Sequence, residues 1–60
     1  MSYPRTPQET WTDRQYIAAI QTVELELMEF RDRYGRASEA EAVFAKRLAE
    51  LRAARAALPR

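Results

Sequence analysis

Large apolar residues recur along the first half of the chain with alternating spacings of four and three. The series runs through Tyr16, Ile20, Val23, Leu27, Phe30 and Tyr34. Such heptad spacing places every member on one face of an α-helix, whereas a strand would require alternation with a period of two. The sequence therefore predicts a long first helix with a narrow apolar seam.

Short local signals set the bounds of this helix. Thr12 and Gln15 have the spacing of a capping box, in which each side chain accepts a hydrogen bond from the other residue's backbone N–H. Trp11, just before the cap, can pack on the first seam residue as a hydrophobic staple. Gly35, the only glycine, directly follows the last seam residue, where a left-handed C-terminal cap is usual.

A second helix is predicted after a connection over residues 35–38. Ser38 and Glu41 repeat the capping-box spacing, and Pro59 ends the helical pattern. The apolar face of this helix carries Ala40, Phe44, Leu48, Leu51 and Leu58. A connection this short allows only an antiparallel neighbour.

The two helices together give the fold class and the domain boundaries. We expect an all-α chain, an antiparallel helical hairpin with helices over about 12–34 and 39–58. Residues 1–10 hold two of the three prolines and form an extended N-terminal arm, in which Thr6-Pro7 can open a short helical turn. The hairpin occupies residues 11–60.

The length of the chain, 60 residues, limits how much surface it can bury. Small domains usually add disulfides, a metal or a partner chain to a core that is marginal alone. Without cysteine or histidine, disulfides and the commonest transition-metal ligands are excluded, so association is the remaining route. We therefore expect the hairpin to complete a helical bundle, either as a homodimer or by docking on a larger protein assembly.

Apolar side chains outside the seam indicate where a partner would bind. At about 100° per residue, Ile17 and Met28 lie a quarter-turn from the seam and Leu25 lies nearly opposite it. One hairpin partner cannot cover all of these, although isolated exposed apolar residues are common on proteins. We predict a partner-binding surface made of Trp11, Ile17, Leu25 and Met28.

Charge is distributed unevenly, although the net charge is only +1. Residues 1–30 contain two arginines and five acidic residues, and residues 31–60 contain eight basic and four acidic residues. An antiparallel hairpin lays these halves side by side, so mutual neutralisation accounts for most of the asymmetry. The alternative is that the second helix binds nucleic-acid phosphates. The residues concerned would be Lys46, Arg47, Arg52 and Arg55.

The residue types present argue against catalysis. The chain lacks the histidine and cysteine that supply the usual general base, thiol nucleophile and metal ligands. Glu26 and Glu29 have a spacing found in carboxylate-bridged metal sites, but they fall away from the seam and no histidine accompanies them. We expect a protein that is not an enzyme, with no cofactor, no metal and no small-molecule substrate.

The chain contains no apolar run of the roughly 20 residues that span a bilayer, and its N-terminus lacks a signal-peptide pattern. We therefore expect a cytoplasmic protein without a membrane partner. In length and hairpin plan the chain resembles the Rop-type plasmid regulators, in which two hairpins pair into a four-helix bundle that binds RNA. The resemblance covers the plan alone and carries over no functional residue.

Two functions follow from these observations. The first is a protein–protein interaction module or accessory subunit that self-associates or docks on a larger partner through apolar surface outside the seam. The alternative is a small Rop-like regulator that binds nucleic acid through the basic half of the second helix.

Overall fold

A computed structural model describes residues 3–35 and 39–59 of the chain. It contains a short 3₁₀ turn, Gln8–Thr10, followed by two helices, α1 (Asp13–Tyr34) and α2 (Glu39–Ala56). The helices pack against each other as a hairpin, which confirms the all-helical prediction. The predicted bounds of α1 hold, with Thr12 as its N-cap, and α2 ends shortly before the predicted residue 58.

The predicted capping box holds the start of α1. The backbone N–H of Thr12 donates to Oε1 of Gln15 at 2.8 Å, and the N–H of Gln15 donates to the Thr12 hydroxyl at 3.4 Å. Trp11 and Tyr16 meet edge to face with ring centroids 5.2 Å apart. These contacts satisfy N–H groups that have no partner within the helix, and they fix the angle at which the chain enters α1.

Gly35 ends α1 in a conformation suited to glycine. Its φ is +79° and its ψ is −175°, and its N–H donates to the Arg31 carbonyl at 2.9 Å. This is not the left-handed helical cap expected from the sequence but an extended region with positive φ that is almost exclusive to glycine. Steric crowding does not require glycine here, because a Cβ added to Gly35 would meet nothing within 4 Å. The second predicted cap, Ser38, lies outside the described residues.

The core lies between the two helices, toward the open end of the hairpin. Its buried members are Trp11, Tyr16, Ala19, Ile20, Val23, Leu48 and Leu51. Leu51 is fully enclosed, with 0% of its surface exposed. Around this cluster pack the partly buried Tyr3, Phe44, Ala54 and Leu58. The molecule measures 37 × 20 × 16 Å, so the hairpin is a single layer of helices.

The seam predicted through Tyr34 ends one helical turn earlier. Phe30 packs on Phe44 with ring centroids 5.6 Å apart, and Tyr34 contacts Phe30 at 4.8 Å. Tyr34 is nevertheless 66% exposed. Phe44 packs on Phe30, one turn before Tyr34, and Tyr34 stays at the surface. Its assignment to the buried seam was therefore wrong.

The described part of the N-terminal arm folds back over the hairpin instead of standing apart from it. The ring of Tyr3 meets Trp11 edge-on at 5.4 Å, and the indole N–H of Trp11 donates to the Thr6 carbonyl at 2.9 Å. From α2, Arg47 donates to the Tyr3 hydroxyl and, at 3.2 Å, to Oε1 of Gln8. The arm thus joins both helices.

Candidate protein-binding surface

The layer of two helices has two broad faces that differ in how they are covered. On one, the arm face, Thr6 accepts a hydrogen bond from Gln15 of α1, and Gln8 accepts one from Arg47 of α2. By helical geometry, Met28 of α1 and Ala49 of α2 project from the opposite side. Residues 3–10 therefore leave this second side, the open face, uncovered.

A shallow groove follows the junction of α1 and α2 on the open face. From α1 it is lined by Glu24, Leu27, Met28 and Arg31, and from α2 by Ala45, Leu48, Ala49 and Arg52. Met28 is 60% exposed, and both alanines are exposed. Because alanine projects little beyond the backbone, another helix can approach α2 closely here. The groove therefore combines a flexible apolar side chain with a flat apolar wall.

Ion pairs link α1 to α2 on the open face. They are Asp13–Arg55 at 2.7 Å, Glu24–Arg52 at 3.0 Å and Arg31–Glu41 at 2.8 Å. The hydrogen bond and the negative charge of Asp13 raise the pKa of Arg55 above its ordinary value. The Asp13–Arg55 and Glu24–Arg52 pairs are exposed and add little to stability, whereas the Glu41 side chain of the third pair is only 14% exposed. Each pair joins one negative and one positive group, so an ordered pattern of charge runs along the open face.

The four predicted partner-binding residues occupy different environments. Trp11 is only 5% exposed, because Tyr3 and Tyr16 cover its ring, so its placement on an exposed binding surface is corrected. Ile17 is half-buried. Leu25 and Met28 are 58% and 60% exposed, but only Met28 lines the groove on the open face.

Sequence reasoning overlooked the two alanines that form the α2 wall of the groove. Ala45 and Ala49 are four residues apart in the sequence, a spacing that places them on one helix face. The spacing is visible in the sequence, but only the face of α2 that carries Phe44, Leu48 and Leu51 was predicted to make contacts. The exposed surface also includes Val43, which lies on α2 at 68% exposure.

The residues predicted to contact nucleic acid are largely engaged within the hairpin. Arg47 holds the arm and lies 3.9 Å from Glu50. Arg52 and Arg55 each pair with a carboxylate of α1. Lys46 is exposed on α2. The three guanidinium groups thus bind α1 or the arm, and they do not form a separate basic patch.

Within residues 3–35 and 39–59, no three acidic side chains come together in a way that could hold a metal ion. Over the same described residues, neither α1 nor α2 has the length and apolar character needed to cross a bilayer. Glu26 and Glu29 are both exposed and lie beside Phe30 and Tyr34 near the turn.

Comparisons with protein-family models, curated proteins and solved structures found no match to this chain.

Proposed function

We propose that the chain is a protein–protein interaction module, without enzymatic activity, whose open face binds a helical surface of its partner. The observation that carries this proposal is the exposure of Met28, 60%, in a groove whose other wall is formed by Ala45 and Ala49. A methionine beside exposed alanines provides an adaptable apolar contact for an incoming helix.

The thin architecture supports the same conclusion. Domains normally bury their apolar faces between two packed layers, and this hairpin, 16 Å across its shortest dimension, forms only one layer. The arm supplies a partial second layer on one side through Tyr3. A partner on the open face would supply the corresponding layer on the other side.

The ion pairs favour a protein partner over nucleic acid. Phosphate binding uses the free charge of lysine and arginine, whereas Arg52 and Arg55 are paired with Glu24 and Asp13. A phosphate would have to replace those carboxylates. A partner helix, in contrast, can contact Met28, Ala45 and Ala49 without replacing either carboxylate.

The proposal is tested by capturing partners from the native source with the tagged chain and two variants. Met28→Glu places a charge in the groove, and we expect it to weaken binding of the captured partner by about tenfold or more. Leu25→Glu is the matched control, because Leu25 is equally exposed on α1, at 58%, but lies outside the groove.

Circular dichroism of both variants checks that the helices persist. Equal capture by Met28→Glu and the unchanged chain would contradict the proposal. A nuclease-treated sample run in parallel separates protein from nucleic-acid partners, and loss of all capture after nuclease treatment would favour the alternative.

A further inference from the structure

We propose that the partner on the open face is a second copy of this chain, packed so that the two-fold axis runs parallel to the helices and both turns lie at the same end. The inference rests on the proposed function and names its partner. It predicts a four-helix dimer in which α1 of each copy lies over α2 of the other, with every neighbouring pair of helices antiparallel.

The exposed area of the chain matches what one partner of a dimer buries. A folded monomer of 7.0 kDa is expected to expose about 4,000 Å². This chain exposes 4785 Å², so the surplus is roughly 700–800 Å². Stable interfaces of standard size bury about 800 Å² on each partner. A single further copy, covering one face, would therefore bring the exposed area per chain to the value expected of a folded protein.

The order of the charges on the open face selects how the two copies are oriented. From the open end to the turn, the signs on α1 are negative, negative and positive, at Asp13, Glu24 and Arg31. At the same levels on α2, the signs are positive, positive and negative, at the paired residues Arg55, Arg52 and Glu41. The two helices thus carry complementary rows of charge.

A two-fold axis parallel to the helices places the α1 row of one copy over the α2 row of the other at equal heights. Opposite charges then meet at every level, so each carboxylate lies between two guanidinium groups. A two-fold axis perpendicular to the helices instead places α1 of one copy over α1 of the other, with the two turns at opposite ends. In that case Asp13 and Arg31 of the two copies still meet with opposite charges near the ends. Glu24 near the middle, however, meets the same residue of the second copy, and like charges repel.

The apolar side chains favour the same orientation. Met28 and Ala45 face each other across one groove, so they lie at about the same height. With both turns at one end, Met28 of each copy lies over Ala45 and Ala49 of the other. Large side chains then fit against small ones, as close packing between facing positions requires.

The orientation is tested with the double variant Glu24→Arg, Arg52→Glu, which exchanges the charges of the middle ion pair. This variant keeps an attractive pair within each hairpin. In the proposed dimer, copies of the variant also meet one another with opposite charges. A mixed dimer with the unchanged chain instead brings together two arginines at one contact and two glutamates at the other.

Equal amounts of the ¹⁵N-labelled unchanged chain and the unlabelled variant are equilibrated, and the dimers are counted by native mass spectrometry. The isotope is needed because the exchange leaves the mass of the chain the same. We expect the mixed dimer to be at least about threefold rarer than random pairing gives. The control Glu29→Arg, Arg33→Glu exchanges exposed charges of α1 away from the groove, and it should pair randomly.

Random pairing of the Glu24 and Arg52 variant would overturn the proposed orientation, and an excess of mixed dimer would show that the turns lie at opposite ends. Sedimentation velocity that finds only monomer at every concentration would overturn the dimer itself. A monomer that still loses capture of a different protein on Met28→Glu would remove this inference and leave the proposed function standing. If Met28→Glu changes neither the dimerisation of the chain nor its capture of another protein, this inference and the proposed function both fail.

Discussion

Arg47 on α2 donates a hydrogen bond to the hydroxyl of Tyr3, a residue 44 positions earlier in the chain. The same guanidinium reaches Gln8, so one side chain of α2 fixes both the start of the arm and its 3₁₀ turn. The ring of Tyr3, held in this way, covers Trp11. The rings of Tyr3 and Tyr16 together keep Trp11, the largest aromatic side chain of the protein, in the core.

Tyr3→Ala tests this contact directly. Removing the ring exposes Trp11, the only tryptophan. Its fluorescence emission should therefore shift to the red, and its indole should become more accessible to the quencher acrylamide. The free energy of unfolding should fall by about 1–2 kcal/mol, as for other half-buried side chains. Tyr3→Phe keeps the ring and removes only the hydroxyl, so it should cost about 0.5–1.5 kcal/mol and leave the emission unchanged. Emission of Tyr3→Ala that matches the unchanged chain would contradict the packed position of the arm.

Leu51→Ala should be among the most damaging single truncations in α2. The side chain is fully enclosed, at 0% exposure, and removing such a leucine typically costs about 2–5 kcal/mol. Thermal unfolding followed by circular dichroism measures the effect. Val43→Ala, on the same helix at 68% exposure, is the control and should change stability by less than about 0.5 kcal/mol. Similar melting curves for the two variants would refute the assigned core.

Thr12→Ala should destabilise the chain by about 0.5–2 kcal/mol, because the hydroxyl no longer accepts the N–H of Gln15. Thr22→Ala is the matched control within α1. The Thr22 hydroxyl donates to the Ala18 carbonyl at 2.8 Å, a bond that the helix interior does not need. Since alanine is the better helix former, Thr22→Ala should leave the midpoint of urea unfolding unchanged or higher. Equal losses in both variants would argue against the special role of the cap.

Gly35→Ala should cost about 1–3 kcal/mol, since φ of +79° strains an L-residue in this region. The chain is short enough for chemical synthesis, which allows a control with D-alanine at the same position. A D-residue favours positive φ, and an added methyl group would meet nothing within 4 Å. The D-alanine protein should therefore unfold at the same temperature as the unchanged chain or above it. If the L- and D-alanine proteins melt together, backbone strain at Gly35 is not the reason for glycine.

The parts of the fold that depend on near neighbours were predictable from the sequence. Thr12 and Gln15 are close in the chain, so their reciprocal hydrogen bonds follow from spacing alone. The heptad pattern likewise predicts that Ile20, Val23 and Leu27 share a face, and the structure buries all of them. Local signals of this kind reach only across one or two helical turns.

The burial of Trp11 could not be found in the same way. It depends on the ring of Tyr3 returning to the hairpin, where Arg47 from the other half of the chain also contacts Tyr3. No periodicity links residues so far apart. The open face was also only partly predicted, because helical geometry located Met28 but gave no account of which α2 residues would lie beside it.

The span of the arm contact has a consequence for the order in which the molecule folds. The ion pair of Arg31 with Glu41 closes a short loop across the turn, so contacts near Gly35 can form early. Seating Tyr3 on Arg47 closes a much longer loop, and the entropy lost on closure grows with loop length. A helical hairpin dominated by local contacts folds in microseconds to milliseconds. The hairpin should therefore form first, and the arm should close over Trp11 as a later and separable step.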